Sequence, residues 1–189
     1  MVQPATFKLM RKAFRVMNRY FMVPAFRLGL GSILGSPYGG YIMVIKTLGH
    51  KSGKRRFTPV NYAVANGCVY CCAGFGGASH WVKNMLAHPQ VELLLPGRAA
   101  ACQAEFVEDE HEKRSVLRRI LINSGFAAFA FGGINPFRVS DEKLDALTRE
   151  YLVLRFRPTG FGAGAADPGG WLWLWPAAAL IYLLWLWLG

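Results

Sequence analysis

Apolar residues recur along this chain with two periods, and the places where the period changes predict most of its elements. Tyr41–Thr47 is a short apolar run rich in β-forming residues. Arg56–Ala65 and Cys68–Ala73 flank Asn66-Gly67, the strongest short hairpin signal. Val91–Leu95 and Ala100–Val107 make a second hairpin around Pro96-Gly97. In Tyr151–Arg157, Leu152, Leu154 and Phe156 alternate onto one strand face. A helical period marks residues 5–22, with Phe7, Met10, Phe14, Met17 and Phe21 on one stripe and Lys8, Arg11, Lys12, Arg15 and Arg19 on another. Pro24 is expected to end or kink that run. Ser79 is placed to cap a short helix to Ala87, stopped by Pro89. An acid-headed helix from Glu108 to Asn123 turns Val116, Leu117, Ile120 and Leu121 to its apolar side, and Ser140 is placed to cap another.

Six strands with hairpin connections and few helices predict a mainly β, α+β chain: a six-stranded antiparallel barrel, closed or partly closed, with flanking helices. The βαβ alternation of a parallel dinucleotide fold is missing. Residues 1–27 read as a basic amphipathic helix, 28–158 as the barrel domain, 159–170 as a Gly/Ala linker and 171–188 as a hydrophobic helix. That last segment, WLWLWPAAALIYLLWLWL, carries eighteen apolar positions without a charge. As a helix it would be about 27 Å long, near the roughly 30 Å of a bilayer core. Trp171, Trp173 and Trp175 crowd one end and Trp185 and Trp187 the other, where interfacial aromatics belong. The expectation is a transmembrane anchor, with Arg155 and Arg157 keeping the domain on the cytoplasmic side.

Charge sharpens the picture. The net charge is +11, yet between Met1 and Val91 no Asp or Glu occurs; Glu92 is the first acid. A basic half of this kind points to phosphate, anionic lipid or nucleic acid. Nucleic acid is set aside, because no aromatic-interleaved platform or helix-turn-helix pattern accompanies the charge. The basic residues inside the N-terminal apolar stretch break the run that a cleavable signal peptide needs. Cys68, Cys71, Cys72 and Cys102 are too few and irregular for a disulfide framework. Cys68 and Cys71, three apart on a strand, point to opposite faces and cannot converge on a metal, so no metal site is expected. His50, His80, His88 and His111 read as surface histidines without metal-site spacing.

Two segments carry candidate chemistry. In Thr47-Leu-Gly-His-Lys-Ser-Gly-Lys-Arg-Arg56, Gly49 and Gly53 permit positive φ and inward-facing N–H groups, while Lys51, Ser52 and Arg56 supply charge, a hydroxyl and a bidentate fork suited to phosphate. A solvated basic hairpin tip is the alternative. In Gly74-Phe-Gly-Gly-Ala-Ser-His-Trp-Val-Lys-Asn84, glycines before a helix start allow a flat ligand or an anion to approach, and Trp81 and Asn84 share a helix face.

The linked motifs T-x-G-H-K-S-G-K-x-R, then Pro59 and the N-G hairpin, then G-x-G-G…W-x-x-N and H-P-x-V, resemble the deazaflavin-dependent nitroreductase and F420H2-dependent quinone reductase family over Tyr41 to Pro158. The resemblance implies a split β-barrel oxidoreductase that uses coenzyme F420, with some members acting as membrane-associated quinone reductases. It implies that Lys51, Ser52 and Arg56, with Thr47 at the head of the motif, hold the cofactor phosphate and acidic tail. It implies further that Pro59, Asn61 and the turn Ala73, Gly74, Phe75, Gly76 and Gly77 line the deazaflavin ring, completed by Trp81 and Asn84. Family tyrosines that position and protonate the substrate have phenylalanines in their place here, at Phe126-Ala-Ala-Phe-Ala-Phe131, which fits a lipophilic acceptor such as a quinone or an unsaturated lipid. No catalytic acid stands out; water and Tyr62 remain. Alternatives are an FMN-dependent split-barrel reductase and a non-catalytic membrane-attached protein that binds the cofactor or anionic lipid. A homodimer is compatible with the resemblance, which does not fix the oligomeric state.

Overall fold

The computed structural model describes residues 12–13, 15–34, 40–74, 76–163 and 174–188. Six antiparallel strands close a barrel in the order β1-β2-β3-β6-β5-β4. They are β1 (Ile42–Leu48), β2 (Arg55–Ala65), β3 (Cys68–Ala73), β4 (Gln90–Leu95), β5 (Arg98–Phe106) and β6 (Leu152–Phe161). Asn66 and Gly67 both take positive φ, 48° and 73°, as the hairpin between β2 and β3 requires. The last strand runs four residues past the expected Arg157, through Pro158, and β5 shifts register opposite it between Ala101 and Cys102. Proline lacks the N–H for a ladder bond, so an irregularity in the pairing there has a local cause.

Strand alternation divides the apolar residues between two faces. Met43, Ile45, Val69, Cys71, Leu93, Cys102, Leu154 and Phe156 fill the barrel, and helix α3 (His80–Ala87) adds Val82 and Met85 to the same cluster. The other face of β2, β3 and β6 presents Ala63, Tyr70 and Val153 to α4 (Glu110–Asn123) and α6 (Asp141–Thr148). Asp109 caps α4 by accepting from the Glu112 N–H, and Ser140 caps α6 in the same way at Lys143. Ser79 precedes α3 with extended backbone but makes no side-chain cap. The phenylalanine-rich stretch forms a helix, α5 (Phe126–Gly132), closed by Gly133 at φ +60°.

The N-terminal segment departs from its expected stripe. Helix continues through Pro24 instead of stopping: a π-helical turn over Asn18–Met22 leads into α1 (Val23–Arg27), with Pro24 in its first turn where no N–H is needed. A short α2 (Gly31–Leu34) follows. Met22 and Phe26 pack on Val44 and Leu94 of the barrel, whereas Met17 and Phe21, from the expected stripe, stay exposed beside Val16 and Tyr20. Phe7, Met10 and Phe14 lie outside the described residues, as does most of the 159–170 linker.

The C-terminal helix α7 spans Leu174–Leu188, fifteen residues, and Trp171 to Trp173 lie outside the described residues. At 1.5 Å per residue this is about 22 Å, short of the expected span; no helix among the described residues is long and apolar enough to cross a membrane. Every side chain from Leu180 to Leu188 on it is exposed.

Candidate functional site

The expected site residues fall at the end of β1, in the β1–β2 loop, along the first half of β2, in the turn after β3 and on α3. β2 has eleven residues, but its ladder with β3 covers only Tyr62–Ala65 against Cys68–Cys71. Arg55–Asn61 pair with β1 alone among the described strands. Beyond Cys71, β3 pairs instead with β6 and then enters the glycine turn. The barrel wall therefore parts between β2 and that turn, which gives this opening two different walls.

One end of the opening is charged. The β1–β2 loop is folded on itself: Gly49 donates to the Lys54 carbonyl at 2.9 Å, and its own carbonyl accepts from Ser52 and Gly53. Ser52 Oγ accepts from Lys54 N and from Arg56 Nη2. Gly53 takes φ +61° as expected, but Gly49 does not take positive φ; a Cβ there would stand 2.7 Å from Ser52 Oγ and 3.3 Å from the Lys54 carbonyl, so it would turn the Ser52 hydroxyl out of its bonds with Lys54 and Arg56. The N–H groups of Gly49, His50, Ser52, Gly53 and Lys54 are all engaged within the protein, so the expected concavity of inward N–H groups does not form. What the loop offers an anion is its side chains. Lys51, Ser52, Lys54 and Arg56 are exposed, and none of the three cations has a carboxylate partner among the described residues. That donor set fits a phosphate: point charge from lysine, a planar fork from arginine and a hydroxyl.

Thr47 and Asn84 lie under this loop, not on its surface. Thr47, the second-last residue of β1, pairs with Arg56 and is 2% exposed, and Asn84 of α3 is 5% exposed. Asn84 Oδ1 accepts from the His50 N–H at 3.0 Å and meets His50 Nδ1 at 2.8 Å, while Nδ2 donates to Thr47 Oγ1 at 3.4 Å. Trp81, three residues earlier, packs against the barrel core. The shared face of Trp81 and Asn84 is thus turned inward, which periodicity alone could not reveal. His50, read from sequence as a surface residue, is half-buried in this arrangement.

The other wall is the glycine turn. Ala73 is buried in the barrel, so only its backbone faces outward. Gly74 is exposed and lies under the Tyr151 ring, whose Cζ would be 3.5 Å from a Cβ added there. Gly76 takes φ +54°, and Gly77 borders open space, so a flat group meets no side chain at these positions. Phe75 lies outside the described residues. Burial, and secondarily Cys72, hold the Tyr151 phenol above its ordinary pKa. It is a hydroxyl beside the turn that sequence reading passed over, because a tyrosine opening a strand looks like packing. Tyr62 belongs elsewhere: it points into the barrel with Val60, and burial raises its pKa against the opposing pull of Arg98.

The far end of the opening is apolar. Pro59 and Asn61 stand on the outer face of β2, in line with Ala63. Asn61 Nδ2 donates to the Tyr41 carbonyl, and it crowds Gly40 together with the Ser124 backbone; a Cβ on Gly40 would be 2.6 Å from one and 3.0 Å from the other. Ser124 begins the corner into α5, whose Phe126 and Phe129 are exposed.

The cysteines behave as structural groups. Cys71 faces the barrel and Cys68 the opposite side, all four are free, and burial pushes Cys72 up to about 12 and Cys102 up to about 11. No cluster able to hold a metal exists among the described residues.

A search of the curated proteins returns no match. Among solved structures the chain is similar to an F420-H2 dependent reductase (21% identity, TM-score 0.42, covering 61% of this chain and 93% of that one). It is also similar to a protein assigned to 5-nitroimidazole antibiotic resistance from Bacteroides thetaiotaomicron (16%, 0.47, 68% and 76%). A third is general stress protein 26 from Bacillus anthracis (14%, 0.41, 71% and 89%). The assignment rests on a family model instead. Residues 23–132, more than half of the chain and including both walls of the opening, match the F420H(2)-dependent quinone reductase model, and the chain belongs to that family of F420-dependent oxidoreductases.

Proposed function

We propose that the protein binds coenzyme F420 along the opening beside β2 and reduces a lipophilic acceptor, a quinone or an unsaturated lipid, at a membrane surface. The observation that carries this reading is the polarity of the opening: Lys51, Lys54 and Arg56, without a carboxylate partner among the described residues, at one end, and exposed phenylalanines at the Asn61 end. A phosphate-bearing, flat cofactor and an apolar acceptor need those two environments within one ligand's length.

Lys51, Ser52 and Arg56 bind the phosphate and the acidic tail, with Lys54 beside them. Pro59 and Asn61 on one side, and Gly74, Gly76 and Gly77 on the other, confine the ring. The bound reduced cofactor supplies a hydride. The chain's own work is to orient the two reactants and to exclude water, with Phe126 and Phe129 giving the acceptor an apolar seat.

Membrane attachment has support from two elements. Val16, Met17, Tyr20 and Phe21 are exposed beside Arg15 and Arg19, and α7 exposes an uncharged apolar surface. Apolar area flanked by cations is the composition of a segment lying in an anionic interface.

Fluorescence titration of the full chain in detergent with coenzyme F420, beside Lys51→Ala/Arg56→Ala, tests the site. Saturable binding that the double variant loses supports it; no binding at high micromolar cofactor refutes it. Vesicle flotation tests the location: capture by phosphatidylglycerol vesicles supports it, and a chain that stays unbound with these and with phosphatidylcholine refutes it.

A further inference from the structure

Asn84 looks like a pocket residue by its place in the W-x-x-N pattern, but its hydrogen bonds give it a different task. A backbone N–H can only donate, so the His50 N–H fixes which end of the Asn84 amide is oxygen. That oxygen also meets His50 Nδ1, which must therefore carry its proton, leaving Nε2 directed away. The amide nitrogen then reaches Thr47 Oγ1. One buried side chain thus holds the last buried residue of β1 and the residue just before Lys51. From Gly49 to Lys54 the loop is closed by its own bonds at Gly49, Ser52, Gly53 and Lys54, which tie its two ends together. The loop hangs from α3, and α3 begins directly after the glycine turn.

We propose that Asn84 and His50 are positioning residues: they set the phosphate-binding side chains at a fixed distance from the glycine turn and do not themselves touch the cofactor. The inference rests on the F420 reading of the site. Lys51, Ser52 and Arg56 are exposed on long or rotatable side chains that must be ordered on binding, and a fixed loop spares the further cost of ordering the backbone that carries them. Loosening the loop therefore weakens ligands that carry the phosphate and spares those that lack it.

The test compares two ligands on the full chain in detergent: coenzyme F420 and its phosphate-free deazaflavin ribityl chromophore. His50→Ala removes the ring bond but keeps the backbone one. It is expected to weaken coenzyme F420 about tenfold, the scale of one net hydrogen bond, and to change the phosphate-free chromophore less than twofold. His50→Asn places an amide nitrogen where Nδ1 was and is expected to restore coenzyme F420 binding. Asn84→Ala is expected to approach the Lys51→Ala/Arg56→Ala double variant; if it does not fold, the two His50 variants carry the test. Equal weakening of both ligands, or a His50→Ala chain that binds coenzyme F420 as the wild type does, overturns the positioning role while leaving the cofactor reading intact. A wild-type chain that binds neither ligand overturns both.

Discussion

Two charged regions of this protein use arginine in opposite ways. On the α4 side of the barrel Arg114, Arg118, Arg155 and Arg157 each meet a carboxylate. Arg155 binds Glu105 and Glu112, Arg157 shares Glu105, Tyr70 donates to Glu112, and Arg114 and Arg118 reach Asp145 and Asp141 on α6. On the β1–β2 loop, Lys51, Lys54 and Arg56 have no carboxylate partner among the described residues. The first region closes on itself and fastens helices to the sheet. The second is held in shape by hydroxyl, backbone and amide groups, which leaves its charge for something from outside. A count of basic residues cannot separate these roles; where the acids lie can.

The largest separation should come from removing the loop's charge. Lys51→Ala/Arg56→Ala should lower coenzyme F420 affinity at least ~100-fold, two charge-assisted contacts at about 1.5 kcal/mol or more each. Its urea midpoint should stay within about 0.5 kcal/mol of the wild type, as for exposed sites. An affinity change without a stability change is the signature of an outward-facing cluster, and equilibrium urea unfolding beside the fluorescence titration reads both.

Arg155→Met should do the reverse. It leaves Glu105 with Arg157 alone and Glu112 with Tyr70 alone, and should cost about 2 kcal/mol in urea unfolding with cofactor affinity unchanged. A smaller effect belongs to pH. Hydrogen bonding from Arg157, and then Arg155, holds Glu105 below the usual carboxylate range. A depressed folded value contributes stability that is present above the unfolded value near 4.5 and lost as pH falls through the folded one. Burial and the Glu112 bond raise Tyr70 above 10.0, so its contribution is present below that value and lost as pH rises past it. Thermal unfolding followed across pH should show both limbs, and Glu105→Gln should flatten only the acid one. The smallest effect tests the bare glycine wall. Gly77→Ala has an ordinary φ and open space around its Cβ, so its melting temperature should match the wild type, and any loss must appear in ligand affinity alone.

Much of this fold was legible in the sequence because strands of a one-layer barrel carry a two-residue period and their turns carry Asn-Gly or Pro-Gly. The cap at Ser140 was equally open to reading, since a cap is a local device, whereas the acid-headed helix starts at Glu110 behind Asp109, two residues after the expected Glu108. What stayed hidden was direction. Periodicity placed Trp81 and Asn84 on one helix face but could not say whether that face met a ligand or the barrel. Composition marked Gly49 as special but not whether it served torsion or closeness. Pro24 looked like a stop, and a π turn before it absorbs the missing donor. The eighteen-residue apolar tail gave a helix, with its described length set at fifteen residues.

The four-pair ladder between β2 and β3 has a consequence for how the domain breathes. A closed barrel resists deformation because each strand is stitched along both margins, yet Arg55–Asn61 are stitched along one. That half-strand is a compliant part of the cylinder, as are the ends of β1 outside its three-pair ladder with β4. Its amide protons should exchange with solvent sooner than those of Tyr62–Ala65 in the same strand, through small openings that leave the barrel standing.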